Sequence, residues 1–145
     1  LYFCFERTQM KIKYDINLMK FMQLFENITH AKLKDCISNE QLIFIVQDGE
    51  IGKAIGKGGS NVRRLEELLK KKIKIVEFNS DIKQFIRNFI LPLRVKDINQ
   101  EENIVTIGGP DTKTKGLLIG RERKNLDNLK NVIKRYFEIE DIKVV

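Results

Sequence analysis

Apolar positions recur along the chain in short blocks whose period changes. Over residues 15–26, Ile16, Leu18, Met19, Met22, Leu24 and Phe25 predict a helix, although these positions do not hold a strict 3.6-residue spacing. Residues 31–37 and 41–47, parted at Ser38-Asn39, predict an antiparallel strand pair that Gly49 ends. A short helix over 51–55 then meets the glycine cluster Gly56-Lys57-Gly58-Gly59. Ser60 is placed to cap the next helix, with Val62, Leu65, Leu68 and Leu69 as its apolar stripe. Ile73, Ile75 and Val76 predict a strand after it.

The order then repeats. Ser80 is placed to cap a helix over 81–89 that Pro92 breaks, and residues 93–98 and 103–107 read as a second strand pair. A short helix over 112–119 leads into Gly120-Arg121-Glu122-Arg123, and a longer helix carries Leu126, Leu129, Val132, Ile133 and Phe137 on one face. Residues 141–145 close as a strand. Individual residues answer one another: Ile55-Gly56-Lys57 and Ile119-Gly120-Arg121, Asn61 and Asn125, Leu65 and Leu129, Lys34-Asp35 and Lys96-Asp97. The chain is therefore expected to hold two copies of one unit, at 10–79 and 80–145. Residues 1–9 are read as an extension, disordered or a non-native start, ahead of Met10.

Composition narrows the class. With 145 residues, 42% of them apolar, the chain can bury one medium core or two small ones. No apolar run approaches the ~20 residues that span a bilayer, and the first residues lack the basic-then-apolar order of a signal peptide, so no membrane partner and a cytoplasmic location are expected. Two distant cysteines, Cys4 and Cys36, and the single histidine His30 cannot assemble a zinc set, so no metal and no cofactor are expected. The net charge of +7 is concentrated. Residues 51–75 hold eight Lys/Arg against two Glu, and residues 111–137 hold eight against three acids. Clustered cations beside a repeated turn point to a polyanion, since each neutralised phosphate releases condensed counterions.

The first turn carries the sharper chemistry. Glycines without Cβ atoms let a phosphodiester approach Gly56, Gly58 and Gly59 closely, and the amides opening the next helix favour an anion. Lys57 adds charge at the tip, Lys53, Arg63 and Arg64 flank it, and Ile51, Ile55 and Val62 offer an apolar floor for bases. Such a clamp suits about four unpaired nucleotides.

At Ile55-Gly56-Lys57-Gly58-Gly59 the chain resembles the KH family, whose signature is I-G-x-x-G, set in the helix-strand-strand-helix-helix-strand order of the type II variant. The stretch 52–69, the run Met10-Lys11-Ile12-Lys13 and the ending 134–141 resemble archaeal NusA-like transcription factors over about residues 10–145. That resemblance implies an α+β fold of two tandem type II KH domains, each a small three-stranded sheet covered by helices on one face. It also implies single-stranded RNA as ligand, RNA polymerase as a partner, and a part in transcription termination or antitermination. The carried-over RNA-binding set is Lys53, Ile55, Gly56, Lys57, Gly58, Gly59, Asn61, Arg63 and Arg64, with Gly120, Arg121, Arg123 and Lys124 in the second unit. The second unit departs from the signature, with Arg123 in place of the last glycine and Glu122 at the tip. Either its cations hold a phosphate through side chains, or it extends the surface and stabilises the first unit.

A KH protein of ribosome assembly or of a ribosomal subunit is the alternative within this fold. An enzyme is not expected, with no catalytic residues assigned: no G-x-x-x-x-G-K-[ST] occurs because Gly58 follows Lys57, and Glu66 and Glu67 read as solvated. Phe21, Phe25, Phe44, Phe85 and Phe89 read as core rather than as stacking platforms, and so does Cys36.

Overall fold

The computed structural model describes residues 16–38 and 41–145. The extension at 1–9 and the start at Met10 lie outside the described residues. The chain divides into two units between Phe78 and Asn79.

In the first unit, α1 (Ile16–Thr29) precedes β1 (Leu33–Ser38) and β2 (Leu42–Val46), then α2 (Ile51–Ile55), a single tight turn at Lys57–Gly59, α3 (Ser60–Leu69) and β3 (Ile73–Glu77). The strand order is β1-β2-β3, with β1 antiparallel and β3 parallel to the central strand. The stripe of α1 is cleaner than its sequence suggested. Leu18, Phe21, Met22, Phe25 and Ile28 face the core at helical spacing, while Met19 is exposed. The helix also runs three residues past 26, until His30 adopts φ 58° and its amide donates to the Glu26 carbonyl.

Leu42, Phe44 and Val46 point into this core with Cys36, Ala54, Leu65 and Ile73, and the Phe25 ring stacks on Phe44 at 4.4 Å. Ile43 and Ile45, on the alternate face of β2, are buried as well. A strand buried on both faces reads as the continuous run Leu-Ile-Phe-Ile-Val rather than as an alternation.

The second unit repeats the plan: α4 (Ile82–Ile90), β4 (Asp97–Glu101), β5 (Ile104–Gly108), α5 (Thr112–Ile119), a turn at Arg121–Arg123, α6 (Lys124–Tyr136) and β6 (Asp141–Val144). Its strand order is β4-β5-β6, again antiparallel then parallel. Leu126, Leu129, Val132 and Ile133 are buried along α6, and Phe137, just past its end, lies 6.0 Å from the Phe85 ring of α4. Phe85 and Phe89 are buried too.

Four local expectations are corrected. Ser60 is the first residue of α3 and caps nothing; the cap position is Gly59, in the left-handed region. Asp81, not Ser80, caps α4 by accepting from the Lys83 amide. Residues 93–96 are not strand, because the chain leaving the Leu91-Pro92 bond reaches the sheet only at Asp97. Lys34-Asp35 and Lys96-Asp97 are not equivalent: a bulge lies between Leu33 and Asp35, so buried Asp35 stands opposite Ile45, whereas exposed Asp97 opens its strand opposite Gly108. A bulge shifts every later residue by one place in the ladder, which spacing alone does not reveal.

Candidate nucleic-acid interface

The first turn is built on three glycines with positive φ, of which the first admits no side chain. The Gly56 amide closes α2 on the Gly52 carbonyl, and Gly56 then takes φ 75°, ψ 171°, a region almost restricted to glycine. A Cβ there would sit 2.9 Å from the Asn61 side chain and from Ser60 Oγ. Gly58 (φ 62°, ψ 23°) and Gly59 (φ 76°, ψ 20°) follow in the left-handed region, and the Gly59 amide returns to the Gly56 carbonyl at 3.2 Å. A Cβ at Gly58 would meet nothing within 4 Å, and one at Gly59 only the Arg63 guanidinium at 3.6 Å. The first glycine is thus required by packing, whereas the last two leave the outer side of the turn open.

Two side chains brace this shape. Asn61 Nδ2 donates to the Lys53 carbonyl at 2.9 Å, tying the start of α3 to α2 across the turn. Arg63 donates to the Gly58 carbonyl at 2.7 Å, which brings its guanidinium to the turn while satisfying an acceptor. Buried Ala54 lies on the inner side of α2, and exposed Lys53 faces Glu50 at 3.6 Å. Lys57 and Arg64 are exposed, Ile55 is 37% exposed, and Val62 is half-buried. The amides that open α3 receive no side-chain cap, although α4 and α5 are capped by Asp81 and Asp111. A helix start with no side-chain cap beside an open glycine turn leaves room for an anion at the positive end of the helix.

The second turn reproduces this backbone. Gly120 takes φ 76°, ψ 172°, Glu122 φ 57°, ψ 28°, and Arg123 φ 63°, ψ 19°. Asn125 Nδ2 donates to the Leu117 carbonyl at 2.9 Å, and a Cβ at Gly120 would come 2.7 Å from Asn125. Each non-glycine residue in the left-handed region costs about 1 kcal/mol, so the shape is enforced by the surrounding fold. Arg121, Arg123 and Lys124 are all exposed here.

A KH domain family model matches residues 22–90. The chain is 36% identical to the probable transcription termination protein NusA of Methanocaldococcus jannaschii, over 83% of this chain and 68% of that protein. It is 34% identical to the protein of the same name from Methanococcus vannielii, over 94% and 81%. The chain belongs to the archaeal NusA-like family. Among solved structures it matches the crystal structure of APE1850 with a TM-score of 0.72 and 30% identity, over 91% of this chain and all of that one. Its fold is that of two tandem type II KH domains.

Within this NusA-like chain the two basic clusters resolve more finely than their sequence positions imply. Lys53, Lys57, Arg63 and Arg64 gather around the first turn, but Lys70, Lys71 and Lys72 follow the far end of the 10-residue α3, about 15 Å away at 1.5 Å per residue. Lys74 is partly buried in β3, and desolvation holds its ammonium pKa below the ordinary lysine value. Nor do the clusters match cation for cation. The shared asparagine bonds set Lys53 against Leu117, Lys57 against Arg121 and Arg63 against Asp127. Glu66 is not simply solvated: its carboxylate accepts from the Ile73 amide at the start of β3, a structural duty. The role of Asn61 as a brace was not legible in spacing, though its recurrence as Asn125 was the available signal.

Proposed function

We propose that this chain is a non-enzymatic, single-stranded RNA-binding factor of transcription termination or antitermination. Its two KH domains lie at 10–79 and 80–145, and the first turn is the clamp on the RNA backbone. The observation that carries the clamp is the open outer side of Gly58 and Gly59 beside the uncapped start of α3. A phosphate there accepts from the opening amides, with Lys53, Lys57, Arg63 and Arg64 around it. The next bases rest toward Ile55 and Val62, giving a grip on about four nucleotides. The relatives' names support transcription termination as the setting, and that setting would make RNA polymerase a partner and the cytoplasm the place.

Fluorescence anisotropy with short unstructured RNAs tests the clamp by comparing the wild type with Gly58→Asp. The variant keeps a tolerated backbone, since Glu122 holds nearly the same dihedral angles in the second unit. Loss of tight, salt-dependent binding with an unchanged circular dichroism spectrum is the expected result. Unchanged binding would move the RNA to another basic face.

A further inference from the structure

The two turns share one backbone and one asparagine brace but differ at the tip. Where Gly58 leaves space, the second unit carries the Glu122 side chain at φ 57° and ψ 28°. The opening of α6 has no side-chain cap, like that of α3, and its first amide donates back into the turn in the same way, Lys124 to the Arg121 carbonyl as Ser60 to that of Lys57. The cations Arg121, Arg123 and Lys124 are exposed around it. The backbone shape and a set of exposed cations are therefore present, but a carboxylate stands at the position matching the open tip of the first turn, Arg123 replaces its last glycine, and Leu117 and Asp127 stand where the first unit has Lys53 and Arg63.

We propose that Glu122 bars an RNA phosphate from the backbone of the second turn, so that the first unit alone clamps RNA and Glu122 sets the length of the footprint. This rests on the reading of the first turn as the clamp. Two physical effects act together. A carboxylate repels a phosphate at close range, and its side-chain bulk keeps the phosphodiester from the amides that glycine would leave open. Arg121, Arg123 and Lys124 still attract RNA, but through side chains at longer reach.

Four variants measured by anisotropy with a short oligouridylate across a salt series decide the matter: Glu122→Gly, Glu122→Gln, Gly58→Asp and the double variant Gly58→Asp/Glu122→Gly. Glycine suits the φ of 57°, so Glu122→Gly is expected to melt at or above the wild-type temperature. Glu122→Gly is expected to tighten binding by about tenfold and to steepen the log–log salt slope from about −3 toward about −6 as a second set of ~4 phosphates is engaged. Glu122→Gln, which removes the charge and keeps the bulk, should give a smaller gain of about threefold (~0.65 kcal/mol). The double variant should recover salt-dependent binding that Gly58→Asp alone has lost. If Gly58→Asp abolishes binding while Glu122→Gly changes nothing or weakens it, the first clamp stands and the role given to Glu122 is overturned. If Gly58→Asp has no effect, the reading of the first turn fails, and an unchanged affinity in Glu122→Gly overturns this inference with it.

Discussion

Asn61 and Gly56 form a lock at the residue scale, because the asparagine amide occupies the space a Cβ on Gly56 would need. Gly56→Ala brings that Cβ to 2.9 Å from Asn61 and forces an unsuitable dihedral pair. A loss of about 1–3 kcal/mol of stability is expected in urea unfolding. Asn61→Ala removes one exposed hydrogen bond and should cost about 1 kcal/mol. On the clamp reading it also loosens the turn. RNA affinity is then expected to fall about fivefold with no change in salt slope, because no charge has been removed. Lys57→Ala is its counterpart: it keeps the brace and removes a charge, so the slope should become shallower by about 0.7. If both variants changed the slope equally, positioning and charge would not be separable at this turn.

At the scale of elements, the helices divide by how they begin. Helices α4 and α5 open on aspartate caps, whereas α3 and α6 open from the turns without one. Asp81→Ala is expected to lower stability by about 1 kcal/mol, read from denaturant midpoints. Asp111 accepts from the Thr114 amide, which holds its carboxyl below the ordinary aspartate range, followed by the Thr114 side chain and Lys113. Its folded pKa lies below its unfolded one, so the unfolded state binds more protons between the two values and stability rises with pH there. The contribution is complete above about pH 4 and is lost as pH falls through the folded value. The gap between wild type and Asp111→Ala in thermal melts should therefore be widest near neutral pH and close in acid. Asp141, held down by the Lys130 ammonium and the Ile142 amide, follows the same sign. Leu65 anchors α3 on the first sheet with no exposure, and Leu65→Ala should cost about 2–5 kcal/mol.

For the whole molecule, the repeat is the organising fact. Two units share strand order, helix order and turn geometry while differing in surface charge. The expected wild-type signature is a single clamp, with a log–log salt slope near −3 for ~4 neutralised phosphates. A slope near −6 would show that both units engage RNA backbone. Most of this plan was legible in the chain. Both short helices fall at 51–55 and 112–119 as the sequence indicates, and the buried face of α6 is the one its leucine spacing marks. What was misread was local: Ser60 and Ser80 looked like caps because serine usually is one, but a left-handed glycine and a neighbouring aspartate hold those places.

By itself, the sequence determined the element order, the duplication and the position of the glycine turn, since each is written in local spacing and in residues with special backbone freedom. Only the tertiary structure decided that Arg123 and Glu122 adopt the glycine conformation, that Asn61 braces the turn, and that half of the first basic cluster lies away from its turn. The reason is physical. Spacing records which residues share an element, but the conformation of a strained turn is imposed by the helices on either side of it, through side-chain bonds such as Asn61 to Lys53 that a periodic pattern does not record.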